Sequence, residues 1–168
     1  MSKILLLSDT HHFINPRIES FAKNVDQIWH AGDVGAFENL DSLRQWKEVK
    51  AVWGNIDGGD LRKEIPKNLF FELEGCKILM THIAGKMGVY NQETRDLIIK
   101  HKPNVLVCGH SHILKVAFDS KFNLLYMNPG AAGNHGFHQI STFLLLEVSA
   151  GKPQDLKVVE LGKRGSIA

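Results

Sequence analysis

Apolar residues come in short runs, each closed by a polar or glycine-containing step, and the first third of the chain alternates clearly. Residues 3–7 form a β-type run that stops at Ser8-Asp9. Residues 16–24 have helical character and start at Pro16, where a missing N–H costs nothing. Residues 27–31 predict a second strand ending at Gly32-Asp33. Residues 38–48 predict a helix with Leu40, Leu43 and Trp46 along one side. A third strand, 50–53, ends at Gly54-Asn55. A β-α-β-α-β order with short connections implies a parallel sheet covered by helices.

The middle changes character. Residues 69–73 and 77–81, separated by Glu74-Gly75, predict a hairpin whose second strand ends at His82. A helix over 93–101 is closed by Pro103. Residues 104–108 then form a strand ending at Gly109-His110. Beyond it the pattern is mainly β, at 114–118, 124–127, 141–148 and 156–161. This run of strands predicts a second sheet packed on the first. The expected fold is an α/β sandwich, two sheets flanked by helices, in one domain spanning residues 1–168.

Composition narrows the function classes. A chain of 168 residues that is 43% hydrophobic is long enough for one well-formed core. Its 20 basic and 18 acidic residues nearly cancel, giving no basic face for nucleic acid or an anionic membrane. Cys76 and Cys108 are too few for a disulfide framework, and Cys108 sits in an apolar run as a buried reduced thiol. The apolar run at residues 4–7 is too short for a signal peptide, and no stretch approaches a membrane span. The cytoplasm is the expected compartment. Histidine stands out, with nine copies.

The chemistry gathers where strands stop. Five successive strands end in Asp9-Thr-His11, Gly32-Asp33, Gly54-Asn55-Ile-Asp57, Thr81-His82 and Gly109-His110-Ser-His112. Ligands bind at the carboxyl ends of strands in open α/β sheets, so these segments are expected to converge. Asp9 and His11, like His110 and His112, are two apart; in an extended segment such pairs project to one side and can grip one ion. The adjacent glycines would let the backbone bend as it leaves each strand. Imidazole, carboxylate and amide donors together suit Mn, Zn, Fe or Ni better than Ca or Mg alone. Seven donors exceed the need of one tetrahedral ion, which favours two ions sharing a carboxylate.

In this order the motifs resemble the calcineurin-like metallophosphoesterase superfamily, and more narrowly its small bacterial and archaeal phosphodiesterases. Asn128-Pro-Gly130 is similar to that subfamily's Asn-Pro-Gly turn, so the resemblance runs from Asp9 to Gly130. It implies a four-layer αββα sandwich, in agreement with the pattern. It also implies one metal held by Asp9, His11, Asp33 and His112, and a second held by Asp33, Asn55, His82 and His110, with Asp33 bridging. Manganese is the expected metal, with Zn, Fe, Ni or Mg as alternatives. The implied reaction is hydrolysis of a small phosphate ester by in-line attack of a metal-bridging hydroxide, with Asp9, His11, Asp33, Asn55 and His110 as the catalytic set. Two divalent ions, two aspartates and a hydroxide leave a single positive charge, which a phosphodiester monoanion neutralises.

Two departures bear on the mechanism. Many relatives carry a proton-donating histidine directly after the metal-binding asparagine; here that position is Ile56. Positioned acid catalysis is worth about 10²–10⁴-fold, so leaving groups of low pKa should react much faster. Relatives also often have Gly and another His after the ligand histidine, whereas His82 is followed by Ile83-Ala84-Gly85. Asp57 is read either as a residue supporting the site from behind or as a turn residue before Gly58-Gly59. His12 is read as lining the cleft mouth or pointing away, His30 as packed beneath the site, and His101 as a helix-end cation. His135 and His138 lie in a glycine-rich loop read chiefly as a turn, and residues 84–90 as a segment able to cover the cleft. Phe13, Phe37 and Trp53 read as core or rim. The competing function is a non-catalytic metal-binding scaffold, similar to the retromer subunit of the same fold. A polymer-cutting nuclease lacks the basic stripe it would need. A homo-oligomer is a general expectation for such a domain.

Overall fold

The computed structural model describes residues 1–165, so the last three positions of the expected domain lie outside the described residues. In chain order the elements are β1 (Ser2–Leu7), α1 (Arg17–Ala22), β2 (Gln27–His30), α2 (Phe37–Trp46), β3 (Glu48–Ala51), α3 (Gly59–Glu64), β4 (Asn68–Leu73), β5 (Cys76–Thr81), α4 (Gln92–His101), β6 (Val105–Val107), β7 (Leu114–Asp119), β8 (Leu124–Pro129), β9 (Ile140–Ser149) and β10 (Lys152–Lys163). They build two five-stranded sheets, ordered β10-β9-β1-β2-β3 and β4-β5-β6-β8-β7. The strands β1, β2 and β3 are parallel, as are β5, β6 and β8; β4, β7, β9 and β10 pair antiparallel. This is the expected sandwich, with helices outside both sheets.

The apolar runs explain the layering. In β1, Ile4 and Leu6 face the second sheet and meet Trp29, Met80, Val107 and Leu146. Leu5 and Leu7 face the other way, against Ile18, Ala22 and Leu43. A strand buried on both faces reads as a continuous apolar run, which is what residues 4–7 show. Each such leucine contributes about 1.5–3 kcal/mol by burial, and Leu6→Ala would cost about 2–5 kcal/mol. The second sheet packs its outer face on α4 through Leu79, Leu106, Cys108 and Ile98, while Cys76 lies in the core between the sheets; both cysteines are buried free thiols.

Three expectations are corrected. The last two strands do not extend the second sheet; β9 and β10 return to the first, beside β1. The reason lies in β9 itself: Leu144, Leu146 and Val148 face the inter-sheet core while Phe143 and Leu145 face the helices. Such a two-sided apolar strand belongs next to a central strand. The stretch around Gly58-Gly59 does more than turn, because Gly59 opens helix α3, whose Leu61 is buried beside Leu40 and Val34. Nor do residues 84–90 hang over the cleft. Ala84 and Tyr90 are buried against the second sheet, the Tyr90 hydroxyl donates to Asp119 at 2.7 Å, and the Asn91 N–H donates to the Ala84 carbonyl at 2.9 Å. Among the described residues, no helix is long and apolar enough to cross a membrane.

Candidate metal centre

Backbone pairing continues past the ends of the parallel strands and brings the polar steps together. The Asp9 N–H donates to the Gly32 carbonyl at 2.9 Å, the His11 N–H to the Asp33 carbonyl at 3.0 Å, and the Gly109 N–H to the His82 carbonyl at 3.0 Å. The two sheets are joined where the His110 N–H donates to Asp9 Oδ2 at 3.1 Å. All seven expected metal-site side chains meet there. They divide into Asp9, His11 and His112, and Asp33, His82 and His110; within each group the donor atoms lie within 4.8 Å of one another. Asn55 Oδ1 completes the second group, 2.9 Å from His110 Nδ1 and 3.1 Å from His82 Nε2. Asp33 Oδ2 stands between the groups, 3.3 Å from His11 Nε2 and 3.2 Å from His82 Nε2. That is where a bridging carboxylate would have to be.

The route to this geometry differs from the extended pairs expected. Asp9, His11, Asp33, His110 and His112 all have φ between 45° and 67°, in the left-handed region. Each such residue costs about 1 kcal/mol or more and persists only where its surroundings fix it. The glycines also act differently at two of three positions. A Cβ on Gly54 would lie 2.1 Å from Asp33 Oδ1, and one on Gly109 would lie 2.0 Å from Ser8 Oγ and 2.7 Å from Asp9 Oδ2. Gly54 and Gly109 permit close approach to the aspartates, while Gly32, at φ 98°, does take a conformation that favours glycine.

Buried polar groups hold the loops. Asp57 accepts the N–H groups of Gly54 at 2.8 Å, Val34 at 3.1 Å and Gly35 at 2.7 Å, fastening the Asn55 loop to the Asp33 loop. Both readings of Asp57 therefore meet in one residue. Asn128 donates to the Gly109 carbonyl at 2.9 Å and to Ser111 Oγ at 3.1 Å, and accepts from the Gly130 N–H at 3.0 Å. The Asn-Pro-Gly turn thus supports the His110–His112 segment. His30 is buried beneath the site as expected. Its Nδ1 accepts from the Gly32 N–H at 3.2 Å, its Nε2 donates to Thr10 Oγ1 at 2.9 Å, and Thr10 donates to the Val34 carbonyl at 3.0 Å. Burial pushes His30 down to about 4, so it stays neutral in this role.

The charge pattern fits a bound cation. Ser8 donates to Asp9 Oδ2 at 2.6 Å, but Asp9 Oδ1 is buried, makes no hydrogen bond and faces the imidazoles, with His112 Nε2 at 3.2 Å. A buried carboxylate oxygen in that state needs a partner. Burial opposes ionisation of Asp9, yet its contacts with His11, His112, His82 and Ser8 hold it well below the usual carboxylate range. Asp33 behaves alike: burial raises it, and His11, His82 and the Ile56 N–H outweigh that. His82 Nδ1 donates to the Ala31 carbonyl at 2.7 Å, which turns its Nε2 lone pair towards Asp33 and Asn55. The donor set and the orphaned oxygen fit two divalent ions.

Of the remaining histidines, His12 does not join the cluster, and its N–H is tied to the Val34 carbonyl at 3.2 Å. His101, in the last turn of α4, stacks on Phe70 with ring centres 4.2 Å apart. The glycine-rich loop is more than a turn: the His135 ring lies 5.1 Å from His11 and the His138 ring 5.3 Å from His112. Gly136 allows this packing, since a Cβ there would sit 2.0 Å from His112 Nδ1. Ser8 and Thr10 also support the site; both stand beside Asp9 and carried a signal in that adjacency.

Comparison with known proteins places the chain in a family and a fold. The family model described as the calcineurin-like phosphoesterase superfamily domain matches residues 2–151. A probable metallophosphoesterase of Methanocaldococcus jannaschii is 33% identical over 135 residues, covering 75% of this chain and 66% of that protein. A solved structure described as a novel archaeal phosphodiesterase superposes with a TM-score of 0.73 at 25% identity, covering 95% of this chain and 99% of that one. Vps29 of Chaetomium thermophilum superposes with a TM-score of 0.74 at 17% identity, covering 97% and 100% of the two chains, which is a likeness of fold.

Proposed function

Because the chain belongs to the calcineurin-like phosphoesterase superfamily, we propose that it is a metal-dependent phosphodiesterase with a dinuclear centre. The observation that carries this reading is Asp33 Oδ2, set between two His/Asp groups at 3.2–3.3 Å from an imidazole of each. Asp9, His11, Asp33 and His112 would hold one ion, and Asp33, Asn55, His82 and His110 the other. Manganese is the metal proposed for both. Bound there, two such ions supply a low-pKa water and neutralise charge developing on phosphoryl oxygens.

The chain's own residues do the positioning. His82 is oriented by the Ala31 carbonyl, and Asp33 by the Ile56 N–H at 3.1 Å. Asp57 and Asn128 fix the loops that carry Asn55 and His110. The Ile56 side chain, 39% exposed beside the centre, offers no proton to a departing oxygen. The substrate proposed is therefore a phosphodiester with a good leaving group, in keeping with the single positive charge expected of the loaded centre. The likeness to the archaeal phosphodiesterase supports the diester over the monoester.

Metal-stripped protein reloaded with Mn²⁺ and assayed on aryl phosphodiesters beside aryl monoesters tests this reading. Faster hydrolysis of the diester is expected. Loaded protein that turns over neither would favour the scaffold.

A further inference from the structure

A cavity of about 350 Å³ opens directly beside the second donor group, lined by Asn55 and His82 on one side and by Trp53, Arg62, Lys67 and Ile83 on the other. Among its polar groups is the Arg62 guanidinium, which is held from two sides. Its Cζ lies over the Trp53 ring, 4.2 Å from the ring centre. Its Nε donates to the Asp57 carbonyl at 2.6 Å, and its Nη2 to the Asn55 carbonyl at 3.5 Å. Asp57 is itself buried and fixed by three backbone N–H groups, so an exposed arginine is anchored to one of the most constrained points of the site.

Three features point to what this cavity receives. The indole packs on the cluster of Val34, Leu40 and Leu61 and carries Arg62 over its ring, so the arginine meets an incoming group more readily than the indole does. Arg62 and Lys67 outweigh Glu93, which pairs with Lys67 at 2.7 Å, leaving an excess positive charge. A guanidinium pre-set by stacking and a backbone bond loses little freedom on binding, and its planar fork matches a carboxylate or phosphate.

We infer that Arg62 reads a second anionic group on the organic side of the ester, held in the cavity while the scissile phosphate sits at the metal centre. This rests on the phosphoesterase reading and names its substrate class: phosphate esters whose organic part carries a carboxylate or a further phosphate. Trp53 is the positioning residue, acting through the arginine stacked upon it.

Calorimetry on Mn²⁺-loaded protein tests the inference without turnover, using phenylphosphonate, 4-carboxyphenylphosphonate and 1,4-phenylenebisphosphonate, whose C–P bonds are not hydrolysed. One or both probes that carry the second anionic group should bind about tenfold more tightly than phenylphosphonate, the worth of one charge-assisted contact, and the better of the two identifies the anion. Arg62→Gln should bring that ratio to about one, and Arg62→Lys should recover only part of it. A variant that merely disturbed the fold would weaken all three probes by the same factor. Equal binding of the three by the unaltered protein, or a preference that survives Arg62→Gln, would overturn the inference. Selective binding with no hydrolysis of any aryl ester would instead count against the phosphoesterase reading and leave the anion pocket standing.

Discussion

The Asp57 carboxylate accepts the Gly35 N–H at 2.7 Å, and through that bond the loop bearing Asn55 is fastened to the loop bearing Asp33. One oxygen of Asp57 serves Gly35 and the other serves Val34 and Gly54, so both are used. Asp57→Asn keeps the shape but faces one N–H group with an amide that cannot accept. The expected cost is about 1–3 kcal/mol of stability, with weaker uptake of metal at the Asn55 side. Urea unfolding with parallel Mn²⁺ titration checks this; unchanged stability and affinity would show that the clasp is dispensable.

Metal uptake should depend on pH through His11. In the metal-free protein the carboxylate of Asp33, and then that of Asp9, raise His11 from 6.5 to about 9. A raised histidine contributes its pairing in full below 6.5 and loses it as pH rises through 9. A bound ion must displace that proton. Affinity for Mn²⁺ should therefore climb between pH 6.5 and 9 and then level off, with proton release seen by calorimetry in buffers of different ionisation heat. Flat affinity over that window would rule out the displacement.

Leaving-group dependence follows from Ile56. Without an acid at that position, the rate should fall steeply as the leaving group's pKa rises across a series of aryl and alkyl phosphodiesters. Ile56→His should flatten the dependence by raising the slow members, within the 10²–10⁴-fold that positioned acid catalysis provides. A series that is already flat in the unaltered protein would mean another group supplies the proton.

Much of the fold was legible because strand ends and chemistry coincide. The runs at residues 4–7 and 27–30 and the hairpin across Glu74-Gly75 are local patterns, and local patterns survive into the structure. The family motifs likewise stand in contiguous pieces, so the cluster of seven side chains could be foreseen. What escaped was set by distance along the chain. The place of β9 beside β1 is a long-range pairing, although its two-sided apolar run carried a hint. Helix α3 was masked by Gly58-Gly59, a strong turn signal overridden when Leu61 found a buried neighbour in Leu40. The left-handed backbone of Asp9, His11 and His110 has only a weak trace in residue type, since Asp and His tolerate that region better than most, and the packing of Gly136 on His112 has none.

Metal stoichiometry is the sharpest test of the proposed two-ion centre bridged by Asp33. Metal-stripped protein equilibrated with Mn²⁺ and separated from free ion should retain two ions per chain. Asp33→Asn should bind both far more weakly, since Asp33 Oδ2 lies 3.2–3.3 Å from an imidazole of each donor group. One ion per chain in the unaltered protein, or two tightly held ions in Asp33→Asn, would contradict the account.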